Sequence, residues 1–459
     1  MIRWPKTLPD DPAGAVERAL PAHVREVARR LAAAGYRTVA VGGGVRDALL
    51  GLEPAGPWDL ATAAPPERVR ELWPEVVPTG LAHGTVTLPQ ADGPVEITTF
   101  RTEGAYSDAR RPDRVFYTDS LAADLRRRDF TVNALAYDPG SRELVDACGG
   151  LEDLAHGRLR AVGEARARLT EDALRALRAA RLVATHGFAL VEETAAALRD
   201  AAPLLPRLSA ERVRDELAKL LMGERPDAGL ETLRTAGLLA GVLPELAACV
   251  GVLQNRFHAF DVYRHTLATL GAAVARPRVR WAALCHDLGK PATRAERDVG
   301  EATFHGHAQL GGEITGRLLE RLRWARAERE AVVLLVREHL FDYRQEWTDA
   351  AVRRFLARVG PENLADLFAL RRADIAGTGV GADDSGIGRL ETRIAAVLAG
   401  RAALTVADLA VGGEDVMREL GVGPGPRVGR ALHALLEQVL EDPSLNTRER
   451  LIERVRSLP

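Results

Sequence analysis

Cysteine is scarce in this sequence. The 459 residues include three, Cys148, Cys249 and Cys285, which lie far apart and form no Cys-x-x-Cys pair. This usage is typical of a reducing compartment and argues against a disulfide-stapled scaffold. Long apolar runs are also missing: no run of about 18 apolar residues predicts a membrane span, and the N-terminal residues do not resemble a signal peptide. We therefore expect a cytoplasmic protein with no membrane partner.

Net charge is nearly absent as well. The formal net charge is −2, from 62 basic and 64 acidic residues. No global field therefore attracts a polyanion, and any contact with nucleic acid must depend on local basic patches. Hydrophobic residues make up 46% of the chain, as in ordinary globular proteins. Because 459 residues exceed what one core usually holds, we expect more than one domain.

The pattern of apolar residues changes along the chain. Residues 16–34 have the spacing of one amphipathic helix, and the stretches YRTVAVGGG and DGPVEITTFR predict strands. From about residue 160 the pattern becomes helical, and Thr170 and Gly187 are expected to cap the two ends of a helix. Residues 377–388, GTGVGADDSGIG, are the clearest linker. The sequence therefore predicts a mixed α/β part followed by helices.

Six motifs follow one another within roughly residues 36–222: VGGGVRDALLG, HGTVT with VEITTFRTEGAYSD, RRDFTVNALAYD, GGLEDL, EDALRALRAARL and ERVRDEL. Glycines between a strand and a helix let the backbone approach a phosphate closely. Arginine offers a planar fork of donors suited to a phosphate or to a base edge. Taken alone, a glycine turn is better explained as a tight turn, and an arginine run as a solvated face. The evidence for a phosphate-binding or base-binding site therefore comes from the whole ordered set of motifs.

This ordered set resembles the bacterial tRNA nucleotidyltransferase and poly(A) polymerase family (class II), which includes CCA-adding enzymes. The resemblance implies an α+β fold, with a DNA-polymerase-β-like nucleotidyltransferase head, an all-helical neck, an HD-type body and a helical tail. We place the domains at residues 16–155 for the head, 156–250 for the neck with its base-recognition helix and RNA-binding segment, 251–376 for the HD metal-dependent phosphohydrolase domain and 389–459 for the tail.

The reaction that the resemblance implies is the addition of C, A or both to the 3′ end of tRNA, from CTP and ATP. The expected full product is CCA, although CC-adding, A-adding and poly(A)-adding relatives share these motifs. The resemblance assigns triphosphate contacts to Gly43, Arg46 and Arg128, and base recognition to Asp172, Arg175, Arg178 and Arg181. Asp172 and Arg175 are three apart, so on one helix they would present an acceptor and a donor to one base. A surface ion pair is the commoner explanation of such spacing alone.

One expected residue is missing from the head. In the family pattern, two aspartates spaced Asp-x-Asp lie on one face of a strand and supply the hard oxygen ligands that Mg²⁺ prefers. Here the stretch reads GPWDLAT, with Asp59 as the second aspartate and Pro57 in place of the first. Proline supplies no side-chain ligand. The expected catalytic set is therefore Asp59, Glu96 and Arg128, with Asp59 and Glu96 on the metal side.

Three interpretations of Pro57 are open. Nucleotidyl transfer is weakened or lost, so that the chain acts as an HD-type metal phosphohydrolase or as an RNA-binding protein. Alternatively, the loop is rearranged and another carboxylate, such as Glu53 or Asp47, takes part. In the third interpretation Pro57 is a change introduced into an otherwise normal enzyme.

The body contains a second set of candidate metal ligands. Its order His…His-Asp…Asp resembles the HD phosphohydrolase superfamily, and the implied ligands are His265, His286, Asp287 and Asp374. A second metal position would be completed by His339 together with either His305 or His307, and Lys290 is expected to contact a phosphate. Histidine with carboxylate suits Ni²⁺, Mn²⁺, Co²⁺, iron or Zn²⁺. Such a site predicts phosphatase or phosphodiesterase chemistry through an activated water, and a tRNA-binding scaffold with an idle site is the alternative.

Overall fold

The computed structural model describes residues 4, 6–54, 56–103, 115–255, 258–296, 301–341, 343, 346–381, 383–400 and 402–457. Most of the stretch FRTEGAYSDARRPDRV, from 104 to 114, therefore lies outside the described residues. The chain divides into two compact units, residues 1–247 and 248–459. No described helix has the length and apolar character needed to span a bilayer.

A mixed sheet of seven strands in the described chain is the centre of the first unit, in the order β3-β4-β5-β2-β1-β8-β9. β2 and β5 are parallel, whereas the other neighbouring strands are antiparallel. The strands of the first unit are β1 (Thr38–Val41), β2 (Trp58–Thr62), β3 (Val77–Gly80), β4 (Thr85–Leu88), β5 (Val95–Thr99), β6 (Arg101–Glu103), β7 (Val115–Tyr117), β8 (Leu135–Asp138), β9 (Glu143–Asp146), β10 (Arg158–Leu159) and β11 (Ala189–Leu190).

The helices of the first unit follow the predicted change from a mixed to a helical pattern, which confirms the α+β class. They are α1 (Pro12–Ala19), α2 (Ala22–Ala33), α3 (Gly43–Leu49), α4 (Pro66–Leu72), α5 (Leu121–Arg126), α6 (Gly150–His156), α7 (Ala165–Glu171), α8 (Leu174–His186), α9 (Glu192–Ala201), α10 (Ala210–Leu221), α11 (Pro226–Thr235), α12 (Leu239–Val242) and α13 (Pro244–Ala247). Helix α8 packs against α10 and α11.

Two helix boundaries differ from the prediction. The single helix expected over 16–34 is split between α1 and α2, because Pro21 forces the residue before it, Leu20, into an extended conformation. Thr170 is not an N-cap, since it lies inside α7. The chain breaks at Asp172, whose carboxylate accepts a hydrogen bond from the Leu174 backbone N–H at 3.1 Å and so begins α8. Gly187 ends α8 as predicted, with a φ of 69°.

Among its described residues, the second unit has helices and a short antiparallel pair of strands, β12 (Ala295–Glu296) and β13 (Ala302–Thr303). Its helices are α14 (Val262–Ala272), α15 (Pro277–Cys285), α16 (Lys290–Thr293), α17 (His307–Arg321), α18 (Arg326–Glu338), α19 (Asp349–Val359), α20 (Leu364–Gly377), α21 (Ser385–Ala399), α22 (Gly413–Leu420), α23 (Pro426–Glu441) and α24 (Arg448–Arg456). Helix α14 packs on α20 and α15, and α17 packs on α18. These packed helices bring the histidines of the body together.

Candidate active site in the head and candidate metal centre in the second unit

A cavity of about 650 Å³ lies within the first unit, between the central sheet and the helices α8 and α10. Four of its lining residues are acidic and six are arginines: Asp59, Glu96, Asp129, Asp172, Arg101, Arg127, Arg128, Arg175, Arg178 and Arg212. A polyanion is attracted to such a concentration of guanidinium groups. Although the net charge of the whole chain is close to zero, the arginines in this cavity form a local basic patch of the kind that contact with nucleic acid needs.

Asp59 and Glu96 form the acidic end of this cavity. Parallel pairing of β2 with β5 puts the two residues in register as direct partners. Burial raises the pKa of Asp59 to about 6, and the neighbouring Glu96 carboxylate adds to the shift while Arg128 opposes it. Two carboxylates that repel each other in a half-buried site are a donor set that fits a hard divalent cation.

The surroundings of Asp59 show whether another carboxylate takes the place of the aspartate missing at position 57. Pro57 is exposed, lies just before β2 and does not line the cavity, and its side chain has no oxygen that could bind a metal. The two suggested substitutes do not line the cavity. Glu53 is exposed, and Asp47 is buried, with its Oδ1 3.0 Å from His186 Nε2 and 2.8 Å from Arg46 Nε. The structure thus offers no support for a replacement by Glu53 or Asp47.

Arg128 has the surroundings expected of a phosphate-binding group. One of its terminal nitrogens, Nη2, donates to Asp124 Oδ2 at 3.3 Å. Its Nε is buried and has no hydrogen-bond partner among the residues that the structure describes. The glycine that permits this arrangement is Gly42, because a Cβ there would lie 3.3 Å from both Arg128 Nη1 and Asp59 Oδ2. Its φ of 76° also favours glycine.

Three of the expected nucleotide contacts, Gly43, Arg46 and Arg181, do not line the cavity. Arg46 is buried, and its Nη1 donates to Asn133 Oδ1 at 2.6 Å. Arg181 donates to Glu216 Oε2 at 2.6 Å. Both guanidinium groups therefore have protein partners within the first unit.

Arg178 links the cavity to the same buried polar network. It donates to Asp129 Oδ2 at 2.6 Å, and Asp129 also accepts a hydrogen bond from Asn133 Nδ2 at 3.1 Å. Burial alone would raise the pKa of Asp129, but Arg178 and Asn133 hold it far below its usual range. Asp129 therefore stays ionised. Because Asp129 directly follows Arg128 in the chain, its bond with Arg178 holds α8 next to Arg128.

Asp172 and Arg175, which the spacing predicted to lie on one helix, are separated by the start of α8. Asp172 lies in the break before α8, whereas Arg175 lies in its first turn. Arg175 Nη1 donates instead to Glu171 Oε2 at 2.6 Å and to the Arg168 carbonyl at 2.8 Å. The partner of Asp172 is Arg212 on α10, whose Nη2 lies 2.6 Å from Asp172 Oδ2. Sequence reasoning missed Arg212, although the motif ERVRDEL contains it.

The second unit brings the predicted metal ligands together in two groups. Within each group the ligand atoms lie within 4.8 Å of one another, and every side chain is buried; the groups are His265, His286 and Asp374, and Asp287, His307 and His339. Of the two candidates left open, the structure selects His307, because His305 is exposed and belongs to neither group.

Backbone carbonyls orient all four histidines in the same way. Each ring donates from Nδ1 to a carbonyl: His265 to Gly377 at 3.0 Å, His286 to Ala283 at 2.9 Å, His307 to Phe304 at 2.7 Å and His339 to Val336 at 2.7 Å. Such a bond fixes the tautomer and leaves Nε2 free to bind a metal. Burial, with His286 adding, also lowers the pKa of His339 to about 3, which keeps that ring neutral at pH 7.

Asp287 lies at the centre of this arrangement. Its Oδ1 is 3.5 Å from His307 Nε2, and within the described chain neither atom has a hydrogen-bond partner. Burial would raise the pKa of Asp287, but His286 and Lys290 outweigh burial and hold it well below the usual range. A carboxylate oxygen and an imidazole nitrogen that are buried close together without a hydrogen bond are suited to bind one cation between them.

A second cavity, of about 590 Å³, adjoins these ligands in the second unit. Two cationic side chains, Lys290 and Arg371, line it beside Asp287 and Asp374. Lys290 Nζ lies 2.7 Å from Asp287 Oδ2, and Arg371 Nη1 donates to Asp374 Oδ2 at 2.6 Å. This combination of oriented ligands and nearby cations suits a phosphate bound at a metal.

Family comparisons match three consecutive segments of the chain. A model described as the poly A polymerase head domain matches residues 38–160, one described as a probable RNA and SrmB-binding site of polymerase A matches 187–250, and an HD domain model matches 258–375. The first two segments contain most of the cavity of the first unit, and the third contains the two ligand groups of the second.

Curated relatives and solved structures agree with these models. The chain is 41% identical over 334 residues to an A-adding tRNA nucleotidyltransferase of Deinococcus radiodurans, which covers 69% of this chain and 75% of that protein. It is 34% identical over 429 residues to a CCA-adding enzyme of Geobacillus kaustophilus, covering 93% and 94%. The crystal structure of the Bacillus stearothermophilus CCA-adding enzyme in complex with CTP matches with a TM-score of 0.71 at 29% identity, covering 94% and 96%.

Proposed function

The chain belongs to the tRNA nucleotidyltransferase and poly(A) polymerase family, and on that premise we propose that its head adds C, A or both to the 3′ end of tRNA from CTP and ATP. The observation that carries the proposal is the cavity of the first unit, which has the Asp59–Glu96 pair at one end and guanidinium groups beside it. The relatives named above are an A-adding and a CCA-adding enzyme, so the family supports the reaction class.

The head residues divide the work of the reaction between them. Asp59 and Glu96 would hold a divalent metal, for which we propose Mg²⁺ because both ligands are hard oxygens, and the metal supplies activation of the RNA 3′-hydroxyl and neutralisation of phosphate charge. Arg128, whose buried Nε has no hydrogen-bond partner among the described residues, binds the triphosphate. Arg178 and Asp129 hold α8 in place, so that the base and the triphosphate are positioned by one connected wall.

A set of tRNA substrates tests this function. We expect purified protein to extend a tRNA that lacks part or all of its terminal CCA, with labelled CTP or ATP as the nucleotide. We expect UMP and GMP to be incorporated much more slowly than CMP or AMP. Substrates ending before the first C, after CC and after CCA distinguish the activities, because an A-adding enzyme extends only the one ending in CC. Sequencing the 3′ ends identifies the product, and the proposal is rejected if none of the substrates is extended.

A second candidate function belongs to the second unit. We propose that the residues of its two ligand groups bind one or two divalent metals and hydrolyse a phosphomonoester or phosphodiester. The donor chemistry of imidazole with carboxylate favours Ni²⁺, Mn²⁺, Co²⁺ or Zn²⁺ over Mg²⁺. This proposal is supported by four histidines fixed through Nδ1 and by Asp287, whose Oδ1 has no hydrogen-bond partner in the described part of the chain.

A further inference from the structure

We propose that Asp124 is a positioning residue of the head, which holds Arg128 in the place where it binds the triphosphate. The inference rests on the proposed nucleotidyl transfer and adds to it a residue behind the cavity wall. Asp124 lies on α5, is 0% exposed and does not line the cavity. It therefore acts on a bound nucleotide only through the residues that it contacts.

The Asp124 carboxylate binds three residues that line the cavity. Its Oδ1 lies 2.9 Å from Arg127 Nε and 2.7 Å from Arg127 Nη2, and it also accepts a hydrogen bond from the Arg101 backbone N–H at 3.3 Å. Its Oδ2 accepts a hydrogen bond from Arg128 Nη2 at 3.3 Å. One buried carboxylate is thus connected to three of the six arginines that line the cavity.

The charge of Asp124 is balanced by these arginines. Burial would raise the pKa of Asp124, but Arg128 and Arg127 outweigh burial and hold this pKa below its usual range. Asp124 is therefore ionised at neutral pH, and two guanidinium groups share one negative charge. Because one positive charge is left over, the two arginines can bind a phosphate without first losing their protein partner.

Arg128 lies between two carboxylates. It forms an ion pair with Asp124, whereas its Nη1 and Asp59 Oδ2 lie beside the same glycine, since a Cβ on Gly42 would be 3.3 Å from each. Without Asp124, Asp59 is a carboxylate with which Arg128 can pair, and such a pair would withdraw Arg128 from the triphosphate. Asp124 thus fixes Nη2 and keeps the buried Nε, which has no hydrogen-bond partner within the described chain, available to a phosphate.

A double-mutant cycle with Arg128 tests this role. The variants are Asp124→Asn, Arg128→Ala and the two combined. Asp119→Asn is the matched control, because Asp119 is exposed, lies just before α5 and does not line the cavity. The measurements are kcat, the KM for CTP, ATP and tRNA, and equilibrium binding of the triphosphates, with thermal unfolding as the check on the fold.

Asp124→Asn is expected to raise the KM for CTP and ATP by about 10- to 100-fold, which is the order of effect that displacement of a binding group by about 1 Å produces. The KM for tRNA should stay unchanged, and Asp119→Asn should behave as the unmodified protein. Because Asp124 acts through Arg128, adding Asp124→Asn to Arg128→Ala should weaken triphosphate binding by less than about twofold, whereas independent roles would multiply the two losses.

Multiplied losses in the combined variant, or equal rises in the KM for tRNA and for the triphosphates, would overturn the proposal. Asp124→Glu keeps the negative charge but displaces it by one methylene, and it takes the place of Asp124→Asn in the cycle if the asparagine variant does not fold. If the unmodified protein incorporates no nucleotide, nucleotidyl transfer itself is rejected, and the binding measurements still decide the role of Asp124.

Discussion

Substituting alanine for Asp59 is expected to slow the incorporation of AMP or CMP into tRNA by about 1,000-fold or more. Asp59 is the aspartate that this chain keeps on β2, in register with Glu96, and its loss leaves one carboxylate on the metal side. Charge stabilisation by a bound metal is worth several kcal/mol, and about 1.4 kcal/mol corresponds to a factor of ten in rate. The measurement is the initial rate of label transfer from ATP or CTP in the presence of Mg²⁺.

Glu53 provides the matched control for this variant. It is an exposed carboxylate on the segment that precedes β2, and it does not line the cavity. Glu53→Ala should therefore incorporate nucleotides at the rate of the unmodified protein. A large loss in Glu53→Ala would instead show that the second interpretation of Pro57 holds, and equal rates for Asp59→Ala and the unmodified protein would refute the metal assignment in the head.

Alanine at His286 or Asp287 is expected to abolish metal binding and phosphoester hydrolysis in the second unit. Each variant removes a member of one ligand group. Because both residues are at most 1% exposed, water cannot readily replace the lost ligand atom. We expect hydrolysis of a 2′,3′-cyclic or terminal phosphate to fall by about 1,000-fold, in line with the loss of metal activation of water. Bound metal, measured by elemental analysis with Ni²⁺, Mn²⁺, Co²⁺ and Zn²⁺, should fall in parallel.

The neighbouring histidine is the control for the metal centre. His305 lies two residues from His307 but is exposed and belongs to neither group. His305→Ala should keep its metal, whereas His307→Ala should lose part of it. Extension of tRNA by His286→Ala separates the two proposed activities, since we expect it to be retained. Full hydrolysis by Asp287→Ala would contradict the metal centre, and no metal bound to the unmodified protein would leave the unit as a scaffold.

The ordered motifs were sufficient to predict the fold and its reaction class, because their strands, turns and helices follow one another at short range. The strand that carries Asp59 and the helical pattern after residue 160 both formed as expected. The resemblance to the HD superfamily also singled out His265, His286, Asp287 and Asp374, and the structure brings these residues into two groups of close ligand atoms. These predictions depend on residue type and order, which a sequence reports directly.

Contacts between residues far apart in the chain could not be predicted from the sequence. Spacing suggested that Asp172 and Arg175 share a helix face, but the Asp172 carboxylate caps α8 from outside it. The partner of Asp172 is Arg212, forty residues further on, and only the packing of α10 against α8 brings them together. In the same way, the choice of His307 over His305 depends on where α17 begins.

We propose that this head transfers nucleotides with Asp59 and Glu96 on the metal side and a proline at position 57. The most direct test is the single-turnover rate of nucleotide incorporation into tRNA lacking its 3′ terminus, measured for the unmodified protein and for Pro57→Asp, with Mg²⁺ and after chelation. We predict that the unmodified protein incorporates nucleotide, that chelation stops it and that Pro57→Asp is faster. Incorporation by Pro57→Asp alone would contradict the claim, because it would show that the head requires the carboxylate that this chain lacks.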